Sequence, residues 1–138
     1  MGVVYADIEL INSEDLAMAS RHLIGEEEIR RMHLSMLVDT GAYMMAINET
    51  IQSQLGFRFI EKRKVQLASG QVAEYDVVGP VDVRFANRLA VCSAFVLPGD
   101  TVSLLGAIPM EEMDVLIHPK RQELVVTPQH PNYAVLRM

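Results

Sequence analysis

The sequence has no tryptophan and only one cysteine in 138 residues. A single cysteine rules out an internal disulfide. Cys92 sits in the apolar run 89–97 and reads as a buried, inert thiol, because a free cysteine packs as a small hydrophobe. Basic charge is also scarce: 12 Lys and Arg against 18 Asp and Glu leave a net charge of −6. A nucleic-acid binder normally carries a basic face, so no nucleic-acid partner is expected. The one basic cluster, Arg58, Lys62, Arg63 and Lys64, reads as a solvated strand edge. Aromatics make up 6%, so the core must rest on Val, Leu, Ile, Met and Ala. Apolar runs stop at about ten residues, against the ~20 that a membrane helix needs. The N-terminus has no basic stretch followed by an apolar core, so no signal peptide is read there. A cytoplasmic protein with no membrane partner is the expectation. No glycine-rich phosphate loop is present, and His22, His33, His118 and His130 show no paired metal-ligand spacing. No metal or organic cofactor is expected.

What is present fits one domain over residues 1–138. Half of the residues are apolar, enough for a packed core. Residues 128–138, with two prolines, read as a loosely ordered tail. Residues 3–11 read as a strand, 12–15 as a turn or helix start, and 16–23 as either a short helix or a loop. Glu26, Glu27 and Glu28 are a solvated run, because three adjacent side chains point in different directions. In 31–38 the alternation of Met32, Leu34, Met36 and Val38 predicts a strand with one buried face. Asn48 is placed to cap a short helix that stops at Gly56. Residues 57–68 and 72–78 make a hairpin around Ser69-Gly70. Gly79-Pro80 is expected to end it, with 81–85 as a separate amphipathic strand. Further strands are expected at 89–97, apolar on both faces and so central, and at 101–105, 114–118 and 122–127. A helix should occupy 108–113, with Pro109 at its start and acids in its first turn. Short strands, frequent turns and one or two short helices define a mostly β fold with a closed or strongly curved sheet.

Asp39-Thr40-Gly41 is the one feature that looks like a site. It follows an apolar strand and precedes a second apolar run, 43–47. A carboxylate set in such surroundings needs a partner. A second Asp suits that role, since two carboxylates sharing one proton can act as acid and base on a water molecule. Gly41 allows the tight turn that presents Asp39. The Thr40 hydroxyl can bond a facing loop and hold two Asp residues in register.

Met36-Leu37-Val38-Asp39-Thr40-Gly41-Ala42 resembles the active-site loop of retropepsin-like aspartic peptidases. Ala68-Ser69-Gly70-Gln71 stands where those proteins carry a flap hairpin. Leu104-Leu105-Gly106, followed by a short helix, matches their late apolar-apolar-Gly segment. The closest likeness is to bacterial single-domain members that read Leu-Leu-Gly-Ala-Ile-Pro there.

The resemblance implies a retropepsin-like closed acid-protease barrel and an aspartic endopeptidase. It implies a homodimer, because each chain brings one Asp39, and a peptide or protein substrate. Asp39, Thr40 and Gly41 would be catalytic; Ala42, Ala68, Ser69, Gly70, Leu105 and Gly106 would bind substrate. The strand at 3–11 or the one at 122–127 is expected to pair between subunits. Retroviral members follow the late Gly with Arg, whereas this chain has Ala107-Ile108, so dimerisation must be held differently. Tyr43 is bulkier than the residue expected after Ala42. The alternative function is a catalytically silent peptide-binding or scaffold module on the same fold.

Overall fold

The computed structural model describes residues 2–138. Nine strands and three short α-helices follow one another as β1 (Tyr5–Asn12), α1 (Ser13–Ser20), β2 (Arg31–Val38), β3 (Met45–Asn48), α2 (Glu49–Leu55), β4 (Arg58–Gln66), β5 (Val72–Phe85), β6 (Arg88–Leu97), β7 (Leu104–Leu105), α3 (Ala107–Met113), β8 (Val115–His118) and β9 (Glu123–Val126). Seven strands form one sheet in the order β1-β2-β7-β3-β6-β5-β4, and β1 also pairs with β5. That extra pairing closes six strands into a ring and leaves β4 as a flange outside it. The fold is therefore mostly β and barrel-like, as the sequence suggested. β8 and β9 form a separate two-stranded sheet.

β1 runs antiparallel to β2 from Tyr5↔Leu37 to Ile11↔Arg31. On its other side it meets β5 from Glu9↔Arg84 to Asn12↔Val81. β5 covers only Glu9–Asn12, so Tyr5–Ile8 pair with β2 alone and keep their other edge free of strand pairing. β9 keeps one unpaired edge, since it bonds only to β8.

Gly79-Pro80 does not end a strand. β5 runs unbroken for 14 residues, and its register against β6 shifts between Val78 and Val81. This bulge is where β5 leaves β4 (Arg58↔Gly79) and takes up β1 (Asn12↔Val81). Proline lacks the N–H that a ladder needs, so it belongs at such a discontinuity. One long strand can serve two neighbours in turn because the bulge re-aims it.

The core is aliphatic: Ile8, Leu10, Met36, Met45, Ile47 and Met113 are among the fully buried side chains. The predicted face of β2 holds, with Met36 and Val38 buried and Ser35 exposed. β6 is central as expected, but only one of its faces is sealed; Ala90 and Ala94 are buried while Leu89 and Val91 are about half exposed. Asn48 caps α2, its side chain accepting from the Ile51 N–H, and Gly56 ends it in the left-handed conformation. The undecided segment 16–23 is helical to Ser20, with Asn12 as its N-cap. α3 starts at Ala107, one residue earlier than expected, so Glu111 and Glu112 fall beyond its first turn. The expected strand at 101–105 shrinks to Leu104–Leu105. Residues 127–138 form no regular element but are bonded to the body: Arg88 donates to the His130 carbonyl, Asn87 to the Pro131 carbonyl, and the Val135 N–H to the Asp114 carboxylate.

Candidate active site

β2 and β3 are joined by the Asp39 loop, yet they are not neighbours in the sheet. β7 lies between them, parallel to β2 (Leu37↔Leu104, Val38↔Leu105) and antiparallel to β3 at Ala46↔Leu104. The loop must therefore arch over the end of β7, and its apex carries Asp39. Its root is gripped from both sides. The Val38 N–H donates to the Val4 carbonyl at 2.8 Å, and the Asp39 N–H to the Leu105 carbonyl at 3.0 Å. The turn then closes on itself: the Ala42 N–H donates to the Asp39 carbonyl at 3.2 Å, and the Gly41 N–H to Asp39 Oδ1 at 3.0 Å. Among the described residues nothing bonds Asp39 Oδ2, so this oxygen is free to face a ligand.

α3 fixes the far side of the arch. The Ala107 N–H donates to the Ala42 carbonyl at 2.8 Å and the Ile108 N–H to the Tyr43 carbonyl at 3.0 Å. Two orphan amides of the first helical turn thus bind the carbonyls of the loop. Gly106, the N-cap of α3, makes this approach possible, because a Cβ there would run into the Met44 and Ala42 carbonyls.

Asp39 stands between two clefts. One, of about 540 Å³, is bounded by Val3, Val4, Asp39, Thr40, Ile117 and Gln122. The other, of about 490 Å³, lies beneath the β4–β5 hairpin and beside Ala42, Tyr43 and Leu104. The predicted residues divide accordingly. Asp39, Thr40, Gly41 and Ala42 come together at the arch, with Thr40 and Gly41 exposed. Ala68, Ser69 and Gly70 form the exposed hairpin tip and do not line the cleft beneath it; Gln66 and Leu67 do. Leu105 is fully buried, so its side chain meets the core rather than a ligand, and its carbonyl supports Asp39. Gly106 likewise spaces α3 against the arch and lines neither cleft.

Sequence reasoning missed Arg63, Tyr75 and Phe95, which line the second cleft from three strands. The Tyr75 and Phe95 rings pack at 6.3 Å between centroids. The alternation of Arg63, Val65 and Leu67 is the signal that could have found the hairpin's inner face. Tyr43, bulkier than the residue expected after Ala42, is exposed at the cleft margin.

Other chemistry-bearing groups are engaged elsewhere. Burial, with a smaller contribution from Glu112, pushes the Cys92 thiol up to about 12, which leaves it protonated and inert at neutral pH. His130 Nδ1 bonds Asp114 Oδ2 at 2.6 Å, and His118 Nδ1 accepts from the Arg121 N–H. Among the described residues no group of three or more His, Cys, Asp or Glu is placed to hold a metal ion. No helix among them is long and apolar enough to cross a membrane.

A closed ring of strands, with an Asp-Thr-Gly arch threaded over an intervening strand and a hairpin overhanging it, defines a retropepsin-like aspartic peptidase domain. Consistent with this, the family model described as aspartyl protease matches residues 25–126, and the chain belongs to that family. No curated protein matches the sequence.

Proposed function

We propose that the chain is an aspartic endopeptidase whose active unit is a homodimer, with Asp39 of each copy forming one catalytic pair. The observation that carries this reading is the Asp39 arch: a carboxylate at the apex of a loop held by β7 and α3, with Oδ2 unbonded and no other acid lining either adjoining cleft. One carboxylate cannot be general acid and general base in the same step. A second copy supplies the missing one without any change in the chain.

In such a pair the two carboxyls share one proton, since like charges at contact distance do not both ionise. The ionised Asp39 takes a proton from a water molecule as the water oxygen attacks the peptide carbonyl carbon. The protonated Asp39 gives its proton to the carbonyl oxygen. The tetrahedral adduct then collapses, the C–N bond breaks, and the amide nitrogen leaves as an amine with a proton returned by the pair. The hairpin tip at Ser69-Gly70 would close over the substrate and exclude water, and the extended peptide would pair with the main chain.

The test combines sedimentation over a concentration series with cleavage of a mixed peptide library by wild type and Asp39→Asn. The reading expects a dimer, cleavage by wild type, and a loss of at least about 10²-fold in Asp39→Asn with the melting temperature kept. A strict monomer, or equal cleavage by the Asn variant, would remove it. Peptide binding without cleavage would favour the silent module, which Ala107-Ile108 in place of the Arg of retroviral members already motivates.

A further inference from the structure

The cleft beneath the hairpin carries a charge opposite to that of the protein. Its charged lining residues are Arg63 and Lys64, with no Asp or Glu among them, in a chain of net charge −6. Strand alternation separates the two cations. Arg63 shares its face with Val65, the one half-buried residue of β4, and its register partner is Tyr75, which lines the cleft and packs on Phe95. Lys64 belongs to the other face, opposite Glu74.

The Arg63 guanidinium reaches from the hairpin to Met44, at the end of the Asp39 loop just before β3. Its Nη1 lies 3.4 Å from Met44 Sδ. A thioether is a weak acceptor, so this edge of the guanidinium is poorly satisfied. Nη2 bonds Glu61, two residues earlier on the same strand, and both side chains of that pair are about half exposed. A surface pair of this kind holds its partners weakly. Arg63 is thus a cation at the cleft mouth, with a weakly held surface partner on Nη2 and only a thioether on Nη1.

We infer that Arg63 determines specificity and that the cleft accepts an acidic side chain, Asp or Glu, from a peptide whose neighbouring residues are apolar. A carboxylate replaces the thioether at Nη1, giving a charge-assisted bond in place of a weak one. Glu61 retains Nη2. The apolar neighbours meet Met44, Leu67, Phe95 and Leu104. This inference rests on the reading that the cleft beside Asp39 holds the substrate, and it does not depend on turnover.

The experiment measures fluorescence anisotropy with Asp39→Asn protein and labelled peptides alike except for Glu, Gln or Lys at one scanned position. At the position that occupies the cleft, Glu should bind about fivefold tighter than Gln, and Lys weaker than Gln. Raising salt should shrink the gap. Arg63→Met should remove the preference and Arg63→Glu should invert it. Both changes fall on an exposed edge strand, and thermal melts verify the fold. Equal affinity for the three peptides, an order unchanged in Arg63→Glu, or no peptide binding at all overturns the inference. Wild-type cleavage of the same peptides separates the two ideas. Acid-selective binding without cleavage sinks the peptidase reading and leaves Arg63 as the selector; cleavage indifferent to the acidic residue does the reverse.

Discussion

Gly106 and Met44 meet backbone to backbone. A Cβ at position 106 would lie 2.8 Å from the Met44 carbonyl carbon and 2.9 Å from the Ala42 carbonyl oxygen, with the Met44 oxygen closer still. Gly106 has φ −92°, an ordinary value, so the demand for glycine here comes from space alone. The atoms it meets are main chain, and they belong to the loop that presents Asp39. Relief of the clash must move either α3 or that loop. Gly106→Ala should cost about 1–3 kcal/mol, as overpacking of a filled interior does, read from the urea midpoint. Peptide cleavage should fall by more than the unfolded fraction explains, because the amides of Ala107 and Ile108 lose their hold on Ala42 and Tyr43.

Asn12 ties two helices together from a buried position. Its Oδ1 accepts from the Glu14 and Asp15 amides, both at 3.1 Å, and caps α1. Its Nδ2 donates to the Leu55 carbonyl at 2.8 Å, at the last residue of α2. Removal leaves a helix uncapped and a buried carbonyl without its donor. Asn12→Ala should cost about 2–3 kcal/mol, the sum of a lost cap and an unsatisfied polar group. Asn12→Ser should cost less, since its hydroxyl can still cap but does not span to Leu55. Chemical denaturation of both variants at constant m-value checks the order.

Local signals carried most of the elements. Asn48 and Gly56 bracket α2 because a cap and a left-handed stop are chemistry of single residues. β2 was legible because alternation over eight residues is hard to mistake. A closed sheet was expected, but which strands close it was not legible, since β1 meets β5 across some 70 residues and pairing partners leave no mark in either strand alone. Gly79-Pro80 misled for a related reason. Both residues break regular ladders, and only the change of neighbour from β4 to β1 turns the break into a bulge. At the site, the Asp39 arch stood out as a motif. Leu105 and Gly106 were recognised as a segment, but their part is to support the arch, which burial and close backbone approach reveal and sequence does not. Arg63, Tyr75 and Phe95 converge from separate strands, so their common cleft exists only in the folded chain.

Two carboxylates give stability a direction in acid. The Arg30 guanidinium holds the buried Asp15 below the usual carboxylate range through paired bonds at 2.9 and 3.0 Å, and the Arg30 amide adds a third. Asp114 is lowered to about 2, first by the Val135 N–H and then by His130, with Thr127 adding a bond to Oδ1. In the unfolded chain both would titrate near ~3.9. Between the two states' values the unfolded chain binds more protons, so stability rises with pH there. The contribution is complete above the unfolded value and drains as pH falls toward about 2 for Asp114. Urea midpoints of wild type should therefore be level from pH 7 to about 5 on this account and decline below about 4. Asp114→Asn should start lower and fall less steeply, because its amide does not titrate. Parallel slopes for the two proteins below pH 4 would show that Asp114 is not a source of the acid sensitivity. The same variant loosens the bond to Val135, so proteolysis within residues 128–138 should quicken at neutral pH, where the wild-type clamp is intact.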